Sequence, residues 1–291
     1  MFYAHLKSEM IILKKGADVI SQLKKEKLTK SSIGFVPTMG ALHKGHISLL
    51  EKCKETCKLT VCSIFINPTQ FNNADDFKKY PVTLEQDIYT LEKNGCDILF
   101  MPDVNDMYPD GTISKKHFDL GYMENILEGK FRPGHFQGVC QVVSRLLQII
   151  HPTHLFIGQK DYQQCMAIKK LLKLENLNIQ IIICPTLREE NGLAMSSRNL
   201  RLNEQQREQA AEIYKTLLTL KQKIKPGPLS NLKKEAEKYL ITKNINPDYV
   251  EIADADNLKI VNDWNGTTEL VALIAAFIGE VRLIDNSLLK A

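Results

Sequence analysis

His43 and His46 stand three residues apart in the segment Pro37-Thr38-Met39-Gly40-Ala41-Leu42-His43-Lys44-Gly45-His46. Two imidazoles at that spacing can donate hydrogen bonds to one phosphate, and the small Gly40 and Gly45 let a bulky ligand approach the backbone. The spacing alone arises cheaply, since His151 and His154 repeat it, and the same pair could merely cap or pack a helix start. A metal pair is a further reading, although no third ligand is spaced nearby. The segment matches neither the dinucleotide pattern G-x-G-x-x-G nor the P-loop G-x-x-x-x-G-K-S/T. Cys53 and Cys57 lack a second pair for a metal site and read as packing residues.

The elements around this segment say where it must sit. Apolar runs at Ile33–Val36, Leu59–Ile66, Ile98–Met101, His154–Ile157 and Ile179–Cys184 read as short buried strands. Helical spacing fills the intervals, at about Gly45–Cys57, Thr83–Lys93, Phe136–Ile150 and Tyr162–Leu174. Strands alternating with helices predict an α/β fold with a Rossmann-like, doubly wound parallel sheet. Such sheets bind ligands beyond the carboxyl ends of their strands, where a helix N-terminus favours an anion. Residues 37–46 fall at one such end, and Lys160 follows another, Phe156-Ile157-Gly158. Past Pro185 the rhythm changes to helices at about Glu204–Ile224 and Asn231–Thr242, then strands at Tyr249–Ala253, Glu269–Phe277 and Glu280–Ile284. The expected division is a Rossmann-like domain over residues 1–185 and a smaller α+β C-terminal domain over 186–291 that acts as a lid.

Composition narrows the partners. With 38 Lys and Arg against 34 Asp and Glu, the net charge is +4, far short of a nucleic-acid coat. The longest apolar run, Leu270–Ile278, covers nine residues, whereas a membrane helix needs about 20. Met10–Leu13 is too short for a signal peptide and its lysines, Lys14 and Lys15, follow it. Seven cysteines without a Cys-x-x-Cys pair fit a reducing compartment, so a cytoplasmic protein is expected.

The segment Pro-Thr-Met-Gly-Ala-Leu-His-x-Gly-His resembles the ATP-binding segment of the pantothenate synthetase, or pantoate–beta-alanine ligase, family, within the nucleotidyltransferases. Further blocks of the same resemblance follow in order: Phe65-Ile66-Asn67-Pro68-Thr69-Gln70-Phe71, Tyr80-Pro81 with Asp87, Phe131-Arg132-Pro133-Gly134-His135-Phe136-Gln137-Gly138-Val139, Gly158-Gln159-Lys160-Asp161-Tyr162-Gln163-Gln164, and Arg188-Glu189 leading to Met195-Ser196-Ser197-Arg198-Asn199. The likeness runs from about Met10 to the C-terminus and leaves residues 1–9 as an extension.

The resemblance implies a ligase that adenylates pantoate on its carboxylate and lets beta-alanine displace AMP. It implies ATP contacts for Met39, Gly40, Ala41, Leu42, His43, Lys44, Gly45, His46, Gly158, Gln159, Lys160, Asp161, Leu187, Met195, Ser196, Ser197 and Arg198. His46, His43, Lys160 and Arg198 are then the catalytic set, with His46 the proton donor. Gln70 is assigned to pantoate and beta-alanine, and Gln164 to pantoate. The first step brings one anion against another, so holding and neutralising phosphate charge is the site's main task. Mg²⁺ bridging phosphate oxygens is expected, with Asp87 as a candidate to assist it, and the family implies a homodimer. Gln159 stands where the family often has Glu, and Lys44 where an acid is common. Two other readings are a nucleotidyltransferase acting on a different small molecule and an RNA-binding synthetase relative. The second wants a basic stripe, for which Glu204–Glu212 is too acidic.

Overall fold

The computed structural model describes residues 9–27, 31–72, 74–112 and 116–290. Of the expected N-terminal extension only Glu9 is among them. The first half of the chain runs β1 (Ile11–Leu13), α1 (Gly16–Lys27), β2 (Ile33–Thr38), α2 (Lys44–Thr56), β3 (Leu59–Ile64), α3 (Ala74–Lys78), α4 (Leu84–Lys93), β4 (Ile98–Phe100) and α5 (Val104–Met107). It continues through α6 (Leu127–Phe131), α7 (His135–Ile150), β5 (His154–Gly158), α8 (Tyr162–Leu174) and β6 (Gln180–Cys184). After these come α9 (Glu204–Lys223), β7 (Gly227–Pro228), α10 (Ser230–Thr242), β8 (Asn246–Asp254), β9 (Asp263–Trp264), β10 (Leu270–Ile278) and β11 (Val281–Lys290).

The chain forms two compact units. The first comprises residues 1–119, 134–157 and 168–184, and the second 120–133, 158–167 and 185–291. A single cut at residue 185, as expected from the change of rhythm, therefore leaves out two excursions into the second unit. Glu128 explains one of them: its backbone N–H bonds to Gln163 Oε1 and its carboxylate pairs with Arg282, both in the second unit. A buried ion pair between residues so far apart leaves no periodic trace in the sequence.

In the first unit the sheet order is β1-β4-β3-β2-β5-β6, and β1/β4, β4/β3, β3/β2 and β2/β5 pair in parallel. β2 lies in the middle and is buried at all positions except Pro37, which is why its sequence is a continuous apolar run rather than an alternation. The chain builds outward from β2 in one direction through β3 and in the other through β5, so the β2/β5 boundary is the switch point where open α/β sheets form a ligand crevice. Leu49, Leu50 and Cys53 of α2 pack with Val36, Cys62, Leu99 and Phe156 in one core, at roughly 1.5–3 kcal/mol for each large apolar side chain fully buried. Cys57 belongs to the same core, as a packing residue. The expected strand Leu59–Ile66 stops at Ile64, because the Phe65 N–H bonds back to Thr38 and begins a loop.

In the second unit β10 is the centre of an antiparallel sheet with β11 and β8 on either side. Ile213, Leu217 and Leu220 of α9 and Leu240 of α10 share its core with Ile252, Ala272 and Ile274. β11 continues past the expected end at Ile284 to Lys290, because the polar Asp285 and Asn286 are buried by partners described below. Among the described residues no helix is long and apolar enough to cross a membrane.

Candidate active site

After β2 the chain turns sharply. Gly40 and Ala41 both have left-handed backbone, with φ of 81° and 48°. A side chain at Gly40 would meet Asp87 Oδ2 at 3.0 Å, so the turn closes directly over the Asp87 carboxylate. Asp87, on α4 and 2% exposed, accepts hydrogen bonds from the N–H groups of Ala41 and Leu42, each at 2.8 Å, and from Thr83 Oγ1 at 3.1 Å. Left-handed backbone at a non-glycine residue costs on the order of 1 kcal/mol, and these bonds hold Ala41 there. Both Asp87 oxygens are thereby engaged by backbone and threonine donors.

The turn delivers the chain to α2 with His43 as N-cap. His43 Nδ1 accepts the Gly45 N–H at 3.1 Å, and His46 Nδ1 accepts the His43 N–H at 3.3 Å, so the two histidines cap the helix reciprocally. An Nδ1 that accepts carries no proton, and the neutral rings therefore bear theirs on Nε2. The ring centroids are 4.1 Å apart. The two imidazoles thus stand side by side at the positive end of a helix dipole, an end suited to phosphate oxygens.

Gln70 is 9% exposed and held from both ends of its amide: Nε2 donates to Met39 Sδ at 2.7 Å, and Oε1 accepts from Asn67 Nδ2 at 3.2 Å. Asn67 is itself fixed, accepting from Tyr108 Oη at 2.7 Å and donating to the Gly138 carbonyl at 3.1 Å. His135 Nδ1 donates to the Gln70 carbonyl at 2.8 Å. A Cβ at Gly138 would come within 2.2 Å of the Thr69 carbonyl oxygen, so glycine is what lets α7 approach this loop. Asn67 and His135 stand in the motif blocks without a role of their own there, whereas Tyr108 gives no sequence signal.

In the second unit, Gly158 ends β5 and Lys160 lies in the short 3-10 turn that follows, its side chain 16% exposed and 4.0 Å from Asp161. Gln164 is half-buried on the first turn of α8. The Leu187 side chain is 39% exposed, and its carbonyl accepts from Met195 N–H at 3.0 Å. Arg188 and Ala194 form an antiparallel bridge, so Met195–Arg198 extends from the base of a hairpin. Ser196 caps the next turn by accepting the Arg198 N–H at 3.3 Å. Asn199 Nδ2 ties that turn to Glu189 at 2.8 Å and to the Ala194 carbonyl at 3.1 Å. A small cavity in this unit is lined by Lys160 and Ser196 together with Asn199 and Asp285. Lys160, Ser196 and Asp285 are thereby brought together within one unit.

Among the described residues no group of three or more His, Cys, Asp or Glu side chains is arranged to hold a metal ion.

Residues 11–288 match the family model for pantoate-beta-alanine ligase. The pantothenate synthetase of Cytophaga hutchinsonii is 48% identical over 267 residues, covering 91% of this chain and 94% of that protein. Among solved structures, pantothenate synthetase from Thermus thermophilus superposes with a TM-score of 0.88 at 34% identity, covering 97% of this chain and all of that one. The ligase from Francisella tularensis, complexed with beta-gamma ATP and beta-alanine, gives 0.81 at 42% identity, covering 97% of this chain and 98% of that one.

Proposed function

This chain belongs to the pantoate-beta-alanine ligase family, and from that premise we propose how its own residues divide the work. The reaction is the condensation of pantoate with beta-alanine, driven by ATP and passing through pantoyl adenylate, with pyrophosphate and then AMP released. A carboxylate oxygen of pantoate attacks the α-phosphorus and expels pyrophosphate. The beta-alanine amine then attacks the acyl carbon, AMP leaves with the oxygen that bridged it, and the amine proton is lost to solvent.

His43 and His46 donate their Nε2–H groups to phosphate oxygens, and the His46 Nε2–H hydrogen-bonds to the charge that builds as pyrophosphate departs. The observation that carries this reading is the reciprocal cap, which fixes both rings with Nδ1 turned to the backbone. Lys160, Ser196, Ser197 and Arg198 neutralise the triphosphate, while the backbone of Met39–Leu42, Lys44, Gly45, Gly158, Gln159, Asp161, Leu187 and Met195 surrounds the nucleotide. Gln70 and Gln164 orient pantoate through neutral amides, which leave its carboxylate more nucleophilic than a guanidinium pair would. Mg²⁺, when bound on the nucleotide, would withdraw charge from the phosphates. Residues 186–291 are proposed as a lid, the assembly as a homodimer, and the compartment as the cytoplasm, with which seven free buried thiols agree.

Mixing the protein with ATP, Mg²⁺ and pantoate, without beta-alanine, should leave pantoyl adenylate on the enzyme, and adding beta-alanine should release AMP and the amide. An adenylylated dinucleotide as product would instead favour a transferase.

A further inference from the structure

The side chain of Asn286 reaches from β11 to the turn that carries Lys160. Its Nδ2 donates to the carbonyls of Gln159 at 2.9 Å and Lys160 at 2.8 Å, and its Oδ1 accepts from Gln159 Nε2 at 3.3 Å. Asn286 is 2% exposed, so water does not compete for these bonds. The preceding residue grips the neighbouring loop: Asp285 takes Arg188 in a two-pronged ion pair at 2.6 and 3.0 Å, and its Oδ1 also accepts the Asn286 N–H at 2.8 Å. Arg188 stacks 3.6 Å over the Tyr214 ring and opens the hairpin that leads to Met195–Arg198. One buried dipeptide therefore anchors both segments that bring cations and hydroxyls to the nucleotide.

We propose that Asn286 is a positioning residue for the ligase, fixing through the Gln159 and Lys160 carbonyls the backbone from which the Lys160 ammonium is aimed at the triphosphate. The inference rests on Lys160 serving the phosphates. A lysine ammonium rides on a flexible four-carbon stem, so its aim depends on where its backbone is held. An amide NH₂ has two protons and can serve two successive carbonyls at once. A carboxylate in its place would turn oxygen against oxygen, and a methyl group would leave the two carbonyls without that donor.

The test is a cycle of single-turnover adenylate formation in wild type, Asn286→Ala, Lys160→Ala and the double variant, with melting curves for each. Asn286→Ala should lose about 10- to 100-fold in rate, the scale of a reacting group displaced by about 1 Å. In the Lys160→Ala background the same change should lose less than about 2-fold, because the group it positions is gone. If the two losses multiply, or if folded Asn286→Ala reacts at the wild-type rate, Asn286 does not act through Lys160. Should Asn286→Ala fail to fold, Asn286→Ser, which keeps one donor, must show the same coupling with a smaller loss. Lys160→Ala at full rate would overturn the phosphate reading itself, a result distinct from multiplying losses in a slow Lys160→Ala enzyme.

Discussion

Asp87 Oδ2 lies 2.8 Å from the Ala41 backbone nitrogen and accepts its hydrogen bond, clamping a left-handed turn two residues before His43. A carboxylate that fills both its oxygens with backbone and threonine donors shapes the histidine segment, and replacing an oxygen by an NH₂ would set donor against donor.

Asp87→Asn should accordingly lose about 1–3 kcal/mol of stability and slow adenylation, while the Mg²⁺ concentration for half-maximal rate stays where it is. Thermal melts and a Mg²⁺ titration at saturating ATP check this. A raised Mg²⁺ requirement with unchanged stability would return Asp87 to the metal.

The reciprocal cap separates two duties of His46. His46→Asn keeps an acceptor near the Nδ1 position and removes the Nε2 donor, so it should melt close to wild type yet lose about 2–4 kcal/mol of transition-state stabilisation, the worth of one oxyanion donor. His46→Ala should lose the cap as well, at about 0.5–2 kcal/mol of stability. Comparing kcat with melting midpoints reads both, and near-wild-type turnover in His46→Asn would remove the ring from the chemistry.

Gln70→Arg should bind pantoate at least as tightly and adenylate it more slowly, because a guanidinium stabilises the carboxylate before it attacks. Single-turnover rates at saturating pantoate decide the point. Faster adenylation would refute the argument for neutral amides.

Burial alone would raise the Glu128 carboxyl, but the hydrogen bonds and charge of Arg282 hold it below its ordinary value of 4.5. A depressed folded-state value means the stability Glu128 adds is fully present above about pH 4.5 and is lost as the pH falls through the depressed value. Melting midpoints should therefore fall more steeply below pH 4.5 in wild type than in Glu128→Gln. Equal slopes would mean the pair contributes nothing through ionisation.

The main elements are legible in the sequence where burial is simple. β2 opens with the apolar run Ile33–Val36 because both its faces are covered, and α2 announces itself through the spacing of Leu49, Leu50 and Cys53. Ile11–Leu13 is not legible as a strand because three residues carry no periodic signal, and it exists by pairing with β4. The histidine segment and Lys160 are legible as motif residues. Their supports are not: Asn286 and Tyr108 act through long-range hydrogen bonds, and a polar residue buried by a distant partner looks the same in sequence as one on the surface. Asp87 stands out in sequence as a motif residue, but its clamp on the Ala41 turn does not, since a carboxylate that binds backbone N–H groups is of the same residue type as one that binds a metal.

The central claim is that the acid becomes an acyl adenylate before the amine arrives. Pantoate labelled with ¹⁸O in its carboxylate, reacted with ATP and beta-alanine and analysed by mass, tests it most directly. One labelled oxygen should appear in AMP and the other in the new amide. Unlabelled AMP, with the label in pyrophosphate or inorganic phosphate, would contradict attack at the α-phosphorus.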